Sequence, residues 1–173
     1  MKTAGALSQD AAESWHIVAA LVENKPGVLF RVTNLFRARS FNIESITVGS
    51  TEREDLSRMT ITTKTDERTL DQLVKQLKKL IDVVEVRVLD SSKTVYRELA
   101  LIKMKAEEPT TRMQITTYAS IFRANILDID KDTMMVEITG TPDKIDAFKN
   151  LVYSFGIIQL ARTGVSALPR GES

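Results

Sequence analysis

The chain reads as an α+β protein built from two tandem ferredoxin-like sandwiches, each with the order β-α-β-β-α-β. Three observations predict this. Strand and helix periodicities follow one another in that order up to the polar segment Asp90-Ser91-Ser92-Lys93, and the same order then starts again. The two halves also share a short echo: Leu35-Phe36-Arg37-Ala38 stands ahead of Asn42-Ile43, and Ile121-Phe122-Arg123-Ala124 ahead of Asn125-Ile126. In a split βαβ unit the right-handed crossovers put both helices on one face of an antiparallel sheet.

The elements can be justified in turn. Residues 16–22 (HIVAALV) form an apolar run of strand formers, and Pro26-Gly27 fits the two central positions of a type II turn, where glycine takes a positive φ. From Val28 the apolar positions Val28, Val32, Leu35 and Phe36 recur at helical spacing. Residues 44–49 alternate through Ile46 and Val48, and residues 58–63 through Met59 and Ile61, with the charged loop Thr51-Glu52-Arg53-Glu54-Asp55 between them. Asp66 is placed to cap a second helix bearing Leu70, Leu73, Val74, Leu77, Leu80 and Ile81. Val84, Val86 and Val88 make the last strand of this half.

In the second half, Leu99 and Leu101 alternate with other residues in a long strand to Lys105. Pro109-Thr110-Thr111 leads into a helix with Met113, Tyr118, Ile121 and Phe122. Strands over 126–129 and 134–139 follow, then a helix from Pro142 with Ile145, Phe148, Leu151 and Val152, proline being tolerated in a first turn. A strand over 157–163 closes the series, and the tail Pro169-Arg170-Gly171-Glu172-Ser173 is expected to fray. The expected division is a flexible N-terminal extension (1–14), a first domain (15–91) and a second ferredoxin-like domain (92–173).

At 173 residues the chain can bury enough apolar surface to fold without staples. Its 24 basic and 23 acidic residues are interspersed and leave a net charge of +1, which gives no electrostatic footprint for nucleic acid or an anionic membrane. RNA-binding modules share this element order, but they carry sheet-surface aromatics that neither Met59-Thr60-Ile61 nor Met134-Met135-Val136 supplies. Zero cysteines exclude disulfides, thiol catalysis and cysteine-ligated metals. The first fourteen residues lack a signal-peptide core and include Asp10 and Glu13, and no apolar run approaches the roughly 20 residues of a membrane span. A soluble cytoplasmic protein is expected.

The residues that point to chemistry are Asn24 and Asn42, at the two ends of the first helix. Asn24-Lys25-Pro26-Gly27 leads into a helix N-terminus, whose free backbone N–H groups stabilise a carboxylate. An asparagine side chain both donates and accepts, which suits the ammonium and carboxylate of a free amino acid. Nothing nucleophilic stands nearby. His16 is the sole histidine and begins a strand, so no catalytic triad can be built on it. Asp128, Asp130 and Asp132 lack the glycine and distal glutamate of a calcium loop and read as a solvated hairpin tip. Met134-Met135 reads as core and interface filler, and Lys75, Lys78 and Lys79 as the wet side of the second helix. No catalytic and no metal-binding residues are expected. The second half has no counterpart of Asn24-Lys25-Pro26-Gly27, so a pocket of the same chemistry is not expected there.

Several linked phrases stand in a recognisable order: VENKPGVLFRV, FNIESITVG, LSRMTI, QLKKLIDVVEV and the terminal RTGVSALPRG. With them the chain from about His16 to Gly171 resembles the regulatory small subunits of acetolactate synthase (acetohydroxyacid synthase), whose first half is an ACT domain. The resemblance implies a non-catalytic subunit that forms a homodimer or larger assembly and docks on a separate catalytic large subunit. It implies that this subunit raises the activity of that enzyme and confers feedback inhibition by valine or a related branched-chain amino acid. Thiamine diphosphate, Mg and FAD are expected on the catalytic subunit and no cofactor on this chain. Matching motif positions carries the effector site to Asn24, Gly27, Val28 and Leu29 of one subunit, with Asn42 and Ile43 from its neighbour. Family members often have glycine where this chain has Ser40, at the left-handed position after the helix. The competing reading is a stand-alone amino-acid-sensing ACT protein acting on another target.

Overall fold

In the computed structural model, which describes residues 13–171, the first strand is longer than its apolar run and spans Ser14–Glu23 (β1). It therefore takes in Ser14, which the apolar pattern leaves in the extension; residues 1–12 of that extension and residues 172–173 of the tail lie outside the described residues. The first unit continues with α1 (Val28–Ala38), β2 (Ser45–Ser50), β3 (Leu56–Thr65), α2 (Glu67–Leu77) and β4 (Val83–Leu89), in the sheet order β2-β3-β1-β4. Every pairing is antiparallel. Register sets which face is core: Val18 lies opposite Ile61 and Val88, and Ala20 opposite Met59 and Val86. Val28, Val32 and Phe36 from α1, and Leu70, Leu73 and Leu77 from α2, are buried in the same cluster as Val18, Ala20, Met59 and Ile61. The helical spacing read from the sequence is thus the spacing that packs, and burial of each such side chain contributes about 1.5–3 kcal/mol.

The end of α1 is a Schellman cap. Phe41 N–H donates to Phe36 O (3.0 Å) and Ser40 N–H to Arg37 O (3.2 Å), with Ser40 left-handed at φ 53°. Phe41 closes the cap edge-on against Phe36, with ring centroids 6.2 Å apart. A side chain at positive φ is strained, so Ser40→Gly should stabilise the protein by about 0.5–1 kcal/mol, read as a higher urea midpoint at unchanged slope.

Asp66 caps α2 as its sequence position suggests, accepting from Thr69 N–H (2.9 Å) and Thr69 Oγ1–H (2.7 Å), and these donors hold its carboxyl below the usual carboxylate range. The helix is shorter than its apolar row. After Leu77 the chain tightens, with Lys79 N–H on Gln76 O and Leu80 N–H on Leu77 O, so Leu80 still packs on the core while Ile81 turns out to 93% exposure. Val84 and Val88 also depart from expectation. A bulge pairs Leu21 with Glu85 but Val22 with Val83, leaving Val84 out of register, and of the three valines only Val86 is buried.

The chain divides into two compact units between Leu89 and Asp90, just ahead of the expected 91/92 division. Asp90 caps a short 3-10 turn, accepting from Ser92 N–H (2.9 Å) and Oγ–H (2.7 Å), and the turn runs directly into the next strand. The second unit comprises β5 (Thr94–Lys105), α3 (Pro109–Phe122), β6 (Asn125–Ile129), β7 (Thr133–Gly140), α4 (Pro142–Val152), β8 (Ile157–Arg162) and β9 (Ser166–Pro169). Its sheet order is β6-β7-β5-β8, with β9 on the N-terminal part of β5.

Three apolar assignments change here. Ala100, Ile102 and Met104 are fully buried while Leu99 and Leu101 lie half-buried, so the core face of β5 is the even-numbered one. In α3 the row that packs is Ile115, Tyr118, Ala119 and Phe122; Met113 and Ile121 fall off that row and are more than two-thirds exposed. Leu151 of α4 is 39% exposed, whereas Ile145, Phe148 and Val152 are in the core, Phe148 edge-on to Phe122 at 5.4 Å. The expected fraying at Pro169 is also corrected. Gly164 reverses the chain at φ 81°, Val165 and Ala167 are buried, and β9 pairs with Thr94–Arg97 up to Pro169, after which Arg170 N–H donates to Lys93 O (2.7 Å).

The inward turn of Glu98 creates an ion cluster. Arg162 donates from Nη2 to Glu98 Oε1 and from Nη1 to Asp146 Oδ1 (2.8 Å), and Lys149 Nζ donates to the same Asp146 oxygen (3.1 Å). Burial alone would raise the Asp146 carboxyl, but Lys149 and Arg162 outweigh it and hold it below its ordinary value. Because the folded value is the lower one, this contribution is complete above the unfolded value of about 4 and is lost as pH falls through the folded value. Urea midpoints between pH 7 and pH 3 should therefore fall less steeply for Asp146→Asn than for the unsubstituted chain.

Candidate functional site

The β1–α1 connection is the type II turn that Pro26-Gly27 predicts. Gly27 sits at φ 87°, ψ −9°, and Val28 N–H reaches Lys25 O at 3.4 Å. Gly27 is also the N-cap of α1, so no side chain caps the helix, and its first turn holds no acidic residue. Among the described residues the N–H groups of Leu29 and Phe30 have no protein acceptor. An uncapped N-terminus with outward N–H donors and no competing carboxylate is suited to one anion of carboxylate size.

Each expected residue now has a place. Asn24 straps this corner to the β2–β3 loop: its N–H donates to Asp55 O (2.8 Å) and its Nδ2 to Glu54 O (3.1 Å). The loop is stiffened by Arg53, which grips Asp55 at 2.7 and 3.2 Å and holds its carboxyl below the usual range. Gly27 and Leu29 are exposed, whereas the Val28 side chain is buried in the core and anchors the corner. Since the Val28 N–H already has Lys25 O, the amides of this corner without a protein acceptor among the described residues are those of Gly27, Leu29 and Phe30.

Asn42 and Ile43 lie at the other end of α1. Asn42 is exposed, and its carbonyl accepts from Thr63 Oγ1–H (2.6 Å); Ile43 packs on the core. A recess of about 140 Å³ opens here between Ser40, Asn42, Thr63, Thr69 and Leu73. An 11-residue helix is roughly 16 Å long, so one protomer cannot bring Asn24 and Asn42 to the same small ligand.

Arg31 escaped the sequence reading. One turn into α1, it donates from Nε to Asp82 Oδ2 (2.6 Å) and from Nη2 to Asp82 Oδ1 (2.8 Å). Asp82 is 6% exposed, and its carbonyl accepts from Glu23 N–H (2.9 Å). Arginine at that helical position is a visible signal, but its partner, in the turn before β4, has none in the sequence.

The corresponding corner of the second unit is closed. Ala106 N–H donates to Asp132 O (2.9 Å), as Asn24 does to Asp55 O, but here Arg112 of α3 spans the gap, donating to Ala106 O (2.6 Å), Asp130 O (2.9 Å) and Lys131 O. Asp130 and Asp132 stand in the exposed loop joining β6 to β7, and His16 Nε2 lies 2.9 Å from Ser14 Oγ and 3.1 Å from Thr65 O. Among the described residues no three histidine, cysteine or acidic side chains gather as a metal site, and no helix is long and apolar enough to cross a membrane.

Comparison with known proteins gives the two units separate matches. Residues 18–85 match the family described as AHAS small subunit-like ACT domain, and residues 97–171 match the small subunit of acetolactate synthase. A probable acetolactate synthase small subunit from Methanothermobacter thermautotrophicus is 52% identical over 91% of this chain and 94% of its own. The acetolactate synthase small subunit of Mycolicibacterium smegmatis is 44% identical over 90% and 91%. The crystal structure of the acetolactate synthase small subunit from Thermotoga maritima superposes with a TM-score of 0.85 at 42% identity, covering 92% of this chain and 99% of that one.

Proposed function

The chain belongs to the acetolactate synthase small-subunit family, and we propose that it is the non-catalytic regulatory subunit of such an enzyme. In this reading it docks on a separate catalytic subunit, raises its activity and makes it sensitive to valine or a related branched-chain amino acid. Thiamine diphosphate, Mg and FAD belong to that partner. The observation that carries the reading is that the free backbone N–H groups of the Gly27 corner and the exposed Asn42 beside Ile43 lie at opposite ends of α1. A ligand that needs both is held between two copies of the chain.

The mechanism follows from where the ligand sits. An effector bridging two protomers binds one dimer arrangement better than another, and that difference shifts their populations. Coupling of about 1–3 kcal/mol between effector and catalytic subunit suffices for a useful switch. The test is calorimetric titration of the purified chain with valine, leucine and isoleucine, followed by an assay with added catalytic subunit. Saturable binding of at least one of them, and effector-sensitive stimulation, are expected; a chain that binds none, or leaves the catalytic subunit unaffected, contradicts the reading. Asn24→Ala should leave stimulation intact and raise the valine concentration for half-inhibition about tenfold or more, the loss of one charge-assisted contact. Unchanged inhibition would remove Asn24 from the site.

A further inference from the structure

We propose that Arg31, held by Asp82, is a further effector-binding residue whose free guanidinium nitrogen donates to the effector's carboxylate. This rests on the reading that a carboxylate sits at the Gly27 turn. Arg31 uses Nε and Nη2 on Asp82, and among the described residues Nη1 has no acceptor. That nitrogen lies 3.9 Å from the position a Cβ on Gly27 would occupy, so it stands beside the turn that starts the helix. A cation there opposes the helix dipole, and the Asp82 carboxylate offsets it while leaving Nη1 free.

The local charge balance leaves room for one anion. Arg31 is matched by Asp82, and Lys25 by Glu23 at 3.0 Å. No acidic residue occupies the first turn, and among the described residues the Gly27, Leu29 and Phe30 amides and Arg31 Nη1 are left without a protein acceptor. Asp82 is buried and accepts two parallel bonds, which fix the plane of the guanidinium and with it the direction of Nη1. Lysine could supply the charge but not this fork.

The test is titration of the intact chain with valine and with valinamide, which keeps the ammonium and side chain but lacks the carboxylate charge. For the unsubstituted protein valine should bind far more tightly than valinamide. Arg31→Gln should weaken valine about tenfold or more and valinamide by less than about threefold, as expected when a donor to a charged group is lost. Arg31→Lys should recover only part of the loss. Asp82→Asn, which keeps the shape but loosens the fork, should weaken valine without changing the discrimination as much as Arg31→Gln. Circular dichroism of each variant guards against misfolding, and the Arg31→Lys result stands if Arg31→Gln does not fold. Equal losses for valine and valinamide, or full valine affinity in Arg31→Gln, overturn the assignment of Arg31 while leaving the effector site itself in place. No valine, leucine or isoleucine binding by the unsubstituted chain overturns both.

Discussion

If the Gly27 turn forms the proposed effector site, Gly27→Val should abolish saturable valine binding at concentrations that saturate the unsubstituted chain, while the protein remains folded. Gly27 holds φ 87°, a region in which a β-branched residue is a true outlier. The obstacle is backbone strain and not space, since a Cβ there would meet nothing nearer than Arg31 Nη1 at 3.9 Å. Strain at this residue opens the type II turn, and the turn is what aims the Leu29 and Phe30 amides. Because Gly27 is exposed and Val28, Val32 and Phe36 hold α1 to the core, the helix survives. Gly27→Ala should give a milder version, costing about 1–2 kcal/mol for the left-handed alanine. Calorimetry with circular dichroism reads both, and full valine binding by Gly27→Val would show that the turn does not form the site.

Arg162→Ala lowers the stability of the second unit by about 3–5 kcal/mol, because it leaves a buried carboxylate without its partner. Glu98 has a side chain only 4% exposed, and Arg162 is its ion-pair partner from β8. The same substitution removes one of the two donors on Asp146. Replacing both members of the inner pair, Arg162→Leu with Glu98→Leu, should recover most of the loss, since apolar residues of similar volume remove the desolvation penalty along with the attraction. Urea unfolding of Arg162→Leu, Glu98→Leu and the double gives the coupling directly. A loss below about 1 kcal/mol in Arg162→Ala would mean that Glu98 is hydrated and the pair carries little.

How much of this was legible in the sequence depends on the range of the interaction. Patterns within one helix or one turn were readable: Val28, Val32 and Phe36 are core, Asp66 caps α2, and Pro26-Gly27 makes the turn it should. Phase was less secure. Ile81 extends an apolar row past the real helix end, and Met113 and Ile121 are apolar residues on an α3 face that points away from the core. In β5 the alternation was visible, but Leu99 and Leu101 drew attention to the wrong face because Ala100 and Glu98 do not look like core. Long-range pairs were not legible at all. Arg31 with Asp82 and Arg162 with Glu98 join residues 51 and 64 apart, and nothing local marks either partner. The echo between halves is also offset. The left-handed residue after the helix is Ser40 in one half and Arg123 in the other, so Asn42-Ile43 and Asn125-Ile126 correspond while the preceding Phe-Arg-Ala triplets do not.

The proposed site divides in the same way. Its two corners, Asn24-Lys25-Pro26-Gly27 and Ser40-Phe41-Asn42-Ile43, are local sequence and could be read, whereas their separation by the whole of α1 is a property of the fold, and under the proposed function it is this separation that calls for two chains.

Mixing two defective chains tests this most directly. Asn24→Ala and Asn42→Ala are each titrated with valine alone, then after unfolding and refolding together in equal amounts. With the effector held between copies, each variant alone binds weakly and the mixture regains binding at unsubstituted affinity, because a dimer of one chain of each kind has one intact site. No recovered binding in mixtures shown by mass to contain that mixed dimer would contradict a site shared between chains.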